Sequence, residues 1–355
     1  MSEKIKQPIK VIGAMSGTSM DGLDIAAIEF YYQNNKWSFE IIEAETISYS
    51  ENWLQQLQDA PFISGEKLTE LHSEYGKYTG ERINKFIKKS GFTPNLIASH
   101  GHTIFHQPDK HFTLQIGNGA EIAAITKTTT VANFRTTDVA LGGQGAPLVP
   151  VGDKLLFNEF EYCLNLGGFA NVSYEKDNKR VAFDNCPVNF SLNFFAERHG
   201  FKYDKGGELG KQGEINVELL NKLNDLVYYK LEPPKSLGRE WMEDEFFPVV
   251  NSISISDLDK MRTIYEHIAI QIAKIGTGSG KLLITGGGAF NTFLIERIKH
   301  HSSLQIVIPS KKIIDFKEAL IFAFLGVLKI QNKTNCYSSV TGAKKDSSAG
   351  IIFTY

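Results

Sequence analysis

The stretch V-I-G-A-M-S-G-T-S-M-D-G-L-D, residues 11–24, joins a short apolar run to a cluster of glycines, hydroxyls and carboxylates. Val11 and Ile12 read as the end of a buried strand. Gly13, Gly17 and Gly22 read as tight turns, Ser16, Thr18 and Ser19 supply hydroxyls, and Asp21 and Asp24 supply carboxylates. Glycine lets a backbone turn sharply and approach a ligand closely, and successive N–H groups in such a turn form a concave anion site. Carboxylates beside an anion site call for a cation between them, and Mg²⁺ on a nucleoside triphosphate is the usual one. An ordinary glycine–serine turn fits the local composition equally well, so the decision falls to the rest of the chain.

Working outward, residues 8–49 read as three strands, Pro8–Met15, Leu23–Phe30 and Trp37–Tyr49, joined by hairpin turns. Leu68–Ser90 carries apolar residues near helical spacing, and Asn95–Ser99 reads as a short buried strand. From Glu161 the opening pattern returns. Strands Glu161–Leu166, Ala170–Tyr174 and Arg180–Asp184 are separated by Gly167-Gly168 and by Asp177-Asn178-Lys179. Helical patterns follow at Asn189–Gly200, Ile215–Leu226 and Leu258–Gly276. A strand, Lys281–Thr285, then runs into Gly286-Gly287-Gly288, and a helix at Asn291–Ser302 and a strand at Leu304–Ile308 come next. Phe316–Lys329 reads as an apolar helix capped by Asp315. The alternation argues for α/β architecture. The repeated strand–glycine turn–strand unit predicts two similar domains facing each other, with a glycine hairpin on each wall of a central cleft. The segment 142–150, rich in Gly and Pro, is the expected crossing between them.

The chain has 355 residues, 42% hydrophobic and 22% charged, with a net charge of -2, in the range of soluble globular proteins of about two domains. That balance favours neither nucleic acid nor an anionic membrane as partner. The N-terminus M-S-E-K-I-K-Q-P-I-K lacks a signal-peptide core, and no apolar run approaches the ~20 residues of a membrane span. Cys163, Cys186 and Cys336 are too scattered for a disulfide framework. A reduced, cytoplasmic protein is expected.

Two motif-like strings carry less than they suggest. G-T-G-S-G-K at 276–281 lacks one spacer and the Ser/Thr of a Walker A loop, and a strand follows it. His100, His102, His106 and His111 have no Cys or Glu cluster to complete a zinc site. Better candidates stand where strands end. Asp184, in F-D-N-C-P-V-N, is placed as a general base or as a turn and capping residue. Arg135 and Asp138 in F-R-T-T-D would form an ion pair or hold a substrate. Glu318 falls in the first turn of the expected last helix, facing its dipole or a ligand.

These residues resemble the anhydro-N-acetylmuramic acid kinase family. The resemblance runs through M-S-G-T-S-M-D-G-L-D (15–24), S-H-G-H-T, T-L-Q-I-G, N-F-R-T-T-D-V-A and G-G-Q-G-A-P-L-V-P. It continues through L-N-L-G-G-F-A-N, F-D-x-x-P-x-N, P-P-K-S-L-G-R-E (233–240), T-G-G-G-A-F-N (285–291), K-E-A-L (317–320) and V-T-G-A (340–343). It implies the duplicated ribonuclease-H-like fold of the actin, hexokinase and Hsp70-like ATPases, with domains at 1–136 (with 341–355) and 137–340. It implies binding of ATP phosphates by Gly17, Thr18, Ser19, Met20, Asp21, Gly22, Leu23 and Asp24 and by Gly167 and Gly168, and of adenosine by Gly286, Gly287 and Gly288. Mg²⁺ would be held through water by Asp21 and Asp24, and the sugar by His100, Thr103, Arg135 and Glu318. Asp184 would be the base that activates water while a 1,6-anhydro sugar is opened and phosphorylated on its 6-oxygen. The resemblance also implies a homodimer. The chain departs from the usual family pattern at His102 (Gln), Asn118-Gly119 (Asp-Pro), Asn133 (Asp) and Asn185–Val188 (Thr-Gly-Pro-Gly), positions that flank the pocket. Competing readings are a conventional sugar kinase of the same fold, in which Asp184 deprotonates a hydroxyl, an Hsp70-like binding ATPase, and a glycosidase. The last leaves the glycine hairpins unexplained.

Overall fold

Two runs of apolar strands separated by glycine turns seed two sheets. The computed structural model describes residues 7–17 and 20–355. Thr18 and Ser19, expected in the phosphate hairpin, lie outside the described residues. The strands are β1 (Ile9–Ser16), β2 (Leu23–Gln33), β3 (Lys36–Ile47), β4 (Leu96–Gln107), β5 (Phe112–Ile116) and β6 (Thr130–Ala132). Then come β7 (Tyr162–Leu166), β8 (Phe169–Lys176), β9 (Lys179–Pro187), β10 (Lys281–Thr285), β11 (Gln305–Val307) and β12 (Ile351–Phe353). The first sheet has the order β12-β6-β4-β1-β2-β3, with β5 on β4, and the second β11-β10-β7-β8-β9. In each, two antiparallel hairpin pairings lie on one side of the first strand and two parallel pairings on the other. The fold is therefore α/β, with a ribonuclease-H-like sheet built twice.

Each sheet buries its own core. In the first, Ile12, Ala14, Ile25 and Ile97 pack with Tyr75, Ile83 and Phe86 of the helix Gly65–Ser90. Ser64 caps that helix by accepting the Lys67 N–H, and left-handed Gly91 ends it. In the second, Leu164, Leu166, Val172 and Ile284 pack with Ile264, Ile268 and Ile272 of the helix Asp257–Ala273. No helix among the described residues is long and apolar enough to cross a membrane.

The chain divides into two units, Met1–Leu156 with Phe316–Tyr355, and Phe157–Asp315. Segments 137–156 and 316–340, expected in the second domain, thus belong to the first unit, and the crossing lies beyond 142–150. Packing explains this. Gly13 sits inside β1, not in a turn, and a Cβ there would lie 2.1 Å from the Ala319 carbonyl oxygen. A Cβ on Gly326 would lie 2.7 Å from that of Ala98. Lys317 and Asp153 form a buried ion pair at 2.8 Å. The helix itself runs Lys311–Ile330. It starts earlier than expected because Ser310 Oγ accepts the Ile313 N–H at 3.4 Å. Asp315 lies inside it, paired with Lys311, and is not its cap. Glu318 is consequently beyond the first turn, out of reach of the helix N-terminal dipole.

Candidate functional site

In the first unit β1 ends at Ser16 and pairs there with Leu23, the first residue of β2, and of the connection between them Gly17 and Met20–Gly22 are described. The Met20 N–H donates to the Gly17 carbonyl at 3.2 Å. Met20 takes a positive φ of 57° and packs its side chain on the first core. Asp21 is exposed. Asp24, on β2, accepts a hydrogen bond from Thr46 Oγ1 at 2.5 Å.

A bulge in β4 arranges the histidines. Ala14 pairs with Ser99 but Ser16 pairs with His102, so β4 carries one extra residue. Gly101 takes φ +76°, and a Cβ there would meet the Ile116 carbonyl oxygen at 2.3 Å, which demands glycine. In a regular strand His100 and His102 would share a face; the bulge separates them. His100 packs on Phe322 of the Lys311–Ile330 helix, with ring centroids 4.5 Å apart. His102 turns instead toward Tyr75 of the Gly65–Ser90 helix.

His100 Nδ1–H donates to the Gly101 carbonyl at 2.9 Å, so its Nε2 is the acceptor for Arg135 Nε–H at 2.9 Å. Burial first, and Arg135 second, hold the His100 pKa well below the usual imidazole value. Arg135 Nη1 donates to the Gly145 carbonyl at 2.8 Å. Asp138 forms no ion pair with Arg135 among the described residues. It accepts from the Gly145 N–H at 2.7 Å and from Thr341 Oγ1 at 2.7 Å, and so fixes the loop whose carbonyl holds Arg135. Thr103 accepts from Gln115 Nε2 at 3.4 Å. Solvent reaches Glu318, yet its pKa is raised, chiefly by desolvation and further by the charge of Asp24, against the pull of Arg135. Among the described residues nothing hydrogen-bonds its carboxylate. A fixed guanidinium beside an uncommitted carboxylate suits a polar ligand that carries hydroxyls.

In the second unit the glycines fall into two kinds. Gly286 has φ +81° and lies so close to β7 that a Cβ would be 2.8 Å from the Leu166 carbonyl oxygen. A Cβ on Gly288 would meet that of Leu166 at 2.7 Å. Both are required by packing. Gly168 and Gly287 are not: their φ values are not positive, and the nearest atoms to an added Cβ are 4.0 and 3.9 Å away. The Gly168 carbonyl accepts from Val188 N–H at 2.8 Å and Phe190 N–H at 3.1 Å, and the Gly167 carbonyl from Asn189 N–H at 3.2 Å. These bonds tie the turn to the start of the helix Asn189–Arg198. The Gly168 N–H has no acceptor among the described residues. Open space with a free donor is what a close-approaching anion needs.

Asp184 lies within β9, which continues to Pro187 instead of ending at the aspartate. Asn171 pairs with Asp184 but Ala170 with Cys186, so Asn185 is a bulge residue immediately after it. One Asp184 oxygen accepts from Asn171 Nδ2, and the other from the Leu237 N–H at 2.8 Å. The Asp184 N–H donates to the Lys235 carbonyl at 3.3 Å, and the Asp184 carbonyl accepts from Tyr228 O–H at 2.5 Å. Desolvation raises the Asp184 pKa, while the Leu237 and Asn171 hydrogen bonds oppose the rise. A half-buried carboxylate locked in orientation, with its basicity increased, can take a proton. Asn171, Tyr228, Lys235 and Leu237 were not singled out from the sequence, although Asn171 lies in L-N-L-G-G-F-A-N and Lys235 and Leu237 in P-P-K-S-L-G-R-E.

Comparison with known proteins covers the candidate residues of both units. The profile of the family "Anhydro-N-acetylmuramic acid kinase" matches residues 9–355. The chain is 33% identical over 374 residues to an anhydro-N-acetylmuramic acid kinase of Saccharophagus degradans, covering 98% of this chain and 100% of the relative. It is 35% identical over 372 residues to one of Mannheimia succiniciproducens, covering 96% and 98%. Among solved structures, the (R)-2-hydroxyglutaryl-CoA dehydratase component A of Acidaminococcus fermentans aligns with a TM-score of 0.46 at 12% identity, over 91% of this chain and 99% of that one. With a family match spanning the hairpin, the His100–Arg135 pair, Asp184 and the glycine loops alike, the chain belongs to the anhydro-N-acetylmuramic acid kinase family of phosphotransferases.

Proposed function

We propose that this protein uses ATP and Mg²⁺ to open the 1,6-anhydro ring of anhydro-N-acetylmuramic acid with water and to phosphorylate the freed 6-oxygen, a step of cell-wall sugar recycling in the cytoplasm. The products are N-acetylmuramic acid 6-phosphate and ADP. The observation that carries this reading is Asp184, whose two oxygens are oriented by Asn171 and Leu237 and whose basicity is increased by desolvation. A carboxylate so placed takes a proton from the water that forms the new bond to the anomeric carbon. The bond from that carbon to the bridging oxygen breaks, and its electron pair stays on the oxygen that receives the γ-phosphoryl group. Arg135, fixed by His100 and Gly145, together with His100, Thr103 and Glu318, would bind the sugar. Gly17–Asp24 and the Gly167-Gly168 turn would bind the phosphates, and Gly286–Gly288 the adenosine. The open space at Gly168 and Gly287 supports close approach of a ligand there. Asp21 and Asp24 would hold Mg²⁺ through water, and the ion supplies neutralisation of phosphate charge. Desolvation is the main cause of the raised Glu318 pKa, and the further contribution of the Asp24 charge sets two carboxylates in one neighbourhood, which fits a divalent cation there.

ADP release is the test. It is expected with anhydro-N-acetylmuramic acid and not with glucose, N-acetylglucosamine or intact N-acetylmuramic acid. Turnover on the intact sugars instead would make the protein a conventional sugar kinase.

A further inference from the structure

Four polar side chains are buried behind the start of the glycine hairpin. Ser16 and His102 are each 1% exposed, Tyr75 is fully buried and Tyr49 nearly so. The two tyrosine hydroxyls lie 2.5 Å apart, Tyr49 O–H donates to Ser16 Oγ at 2.7 Å, and Ser16 Oγ lies 2.8 Å from His102 Nδ1. Counting protons fixes the direction of every bond. Tyr49 commits its single proton to Ser16, so the proton between the tyrosines comes from Tyr75. Ser16 Oγ can accept a second hydrogen bond, but among the described residues its own proton has no acceptor other than His102, so Ser16 donates to a bare Nδ1 and the imidazole proton sits on Nε2. Burial keeps each member in the neutral form this requires: the His102 pKa is pushed down to about 4 and that of Tyr49 up to about 12. The chain of donors runs Tyr75 to Tyr49 to Ser16 to His102. It links the Gly65–Ser90 helix and the segment just after β3 to the last residue of β1 and to β4 just past its bulge.

Ser16 is where β1 stops and the hairpin starts. An apolar core would bury this volume without the burden of satisfying four polar groups. A fully satisfied buried network is instead a device for fixing one geometry. We propose that Tyr75, Tyr49, Ser16 and His102 are positioning residues, which set the root of the glycine hairpin so that Gly17 meets a nucleotide phosphate already oriented. The idea rests on the proposed phosphate role of that hairpin. Breaking the chain leaves the sugar side and Asp184 untouched and weakens nucleotide binding.

The variants Ser16→Ala, Tyr49→Phe and His102→Leu are expected to raise KM for ATP roughly tenfold, about the effect of one lost buried hydrogen bond. Their kcat and sugar KM should stay within about twofold. His102→Gln, whose amide offers both an acceptor to Ser16 and a donor beyond it, should stay within about threefold of the wild type. ¹⁵N imidazole spectra of the wild type should show His102 protonated on Nε2 only, and Ser16→Ala should lose that pattern. Unchanged ATP KM in Ser16→Ala and Tyr49→Phe, or a His102 protonated on Nδ1, overturns the proposal. If the wild type hydrolyses no ATP at all, the function reading fails instead. Hydrogen exchange of the Met20 amide then decides: faster exchange in Ser16→Ala and Tyr49→Phe supports the positioning role, and unchanged exchange overturns it.

Discussion

At Asp184 two opposing forces set one pKa. Desolvation raises it, and the Leu237 N–H and Asn171 amide pull it back. The carboxyl therefore holds its proton in the folded state to a higher pH than in the unfolded chain. Stability from this group is full below the ordinary carboxylate value and is lost as pH rises through the raised one. The proposed role as a base would account for keeping it. Asp184→Asn should fold, bind ATP and lose at least ~10²-fold in turnover, read by steady-state ADP release. Asn171→Ala removes a donor to the ionised form, so the acid limb of its kcat/KM profile should move to higher pH; a limb that stays in place would separate Asp184 from the activity. Asp184 stood out in the sequence as a candidate at a strand end, open to a turn or capping reading, and the strand in fact continues to Pro187. The partners of Asp184 did not stand out, since Leu237 stands 53 positions away and only tertiary folding brings its N–H to the carboxylate.

The elements were legible where glycine punctuates them, in the paired hairpins β1–β2 and β7–β8. What sequence could not separate is a glycine needed by a neighbour from one needed by a ligand. Gly13 looks like part of the turn, yet it is a flat place on β1 that admits the Ala319 backbone. Gly13→Ala should destabilise the protein by about 1–3 kcal/mol in urea unfolding. Gly168→Ala, with its nearest neighbour 4.0 Å from the new methyl, should change stability by less than ~0.5 kcal/mol but raise the KM for ATP. Equal effects on stability would remove the distinction. The bulges at Gly101 and Asn185 escaped the strand pattern for a related reason: one extra residue leaves the apolar rhythm nearly intact while it turns His102 and re-aims the chain beside Asp184. The early start of the Lys311–Ile330 helix was hidden because Lys311 and Lys312 break the apolar run that marks its body.

Across the whole molecule the doubled sheet order was expected from the doubled strand pattern. The division at 156 and 315 was not, because it depends on the Lys311–Ile330 helix packing Ala319 onto Gly13 of β1 and its own Gly326 onto Ala98 of β4. Buried neutral histidines predict that the molecule loses stability in acid. Burial lowers the pKa of His100 well below 6.5, that of His102 to about 4 and that of His267 to about 3. The unfolded chain takes up protons first as pH falls, so this stability is complete above about 6.5 and is lost on the way down to the folded values. His102 alone accounts for on the order of 3 kcal/mol. Melting temperature should be level above pH ~7 and fall steadily below pH ~6.5; a level melting curve down to pH ~4.5 would contradict it. The account's central claim is that ring opening by water and phosphoryl transfer are one event that depends on Asp184. Turnover of anhydro-N-acetylmuramic acid with ATP in ¹⁸O-labelled water tests it most directly, corrected with unlabelled product kept in the same water. One label at the anomeric oxygen, none in the phosphate, and both ADP and labelled sugar phosphate lost together in Asp184→Asn is the predicted result. Unlabelled sugar phosphate, or undiminished turnover in Asp184→Asn, would contradict it.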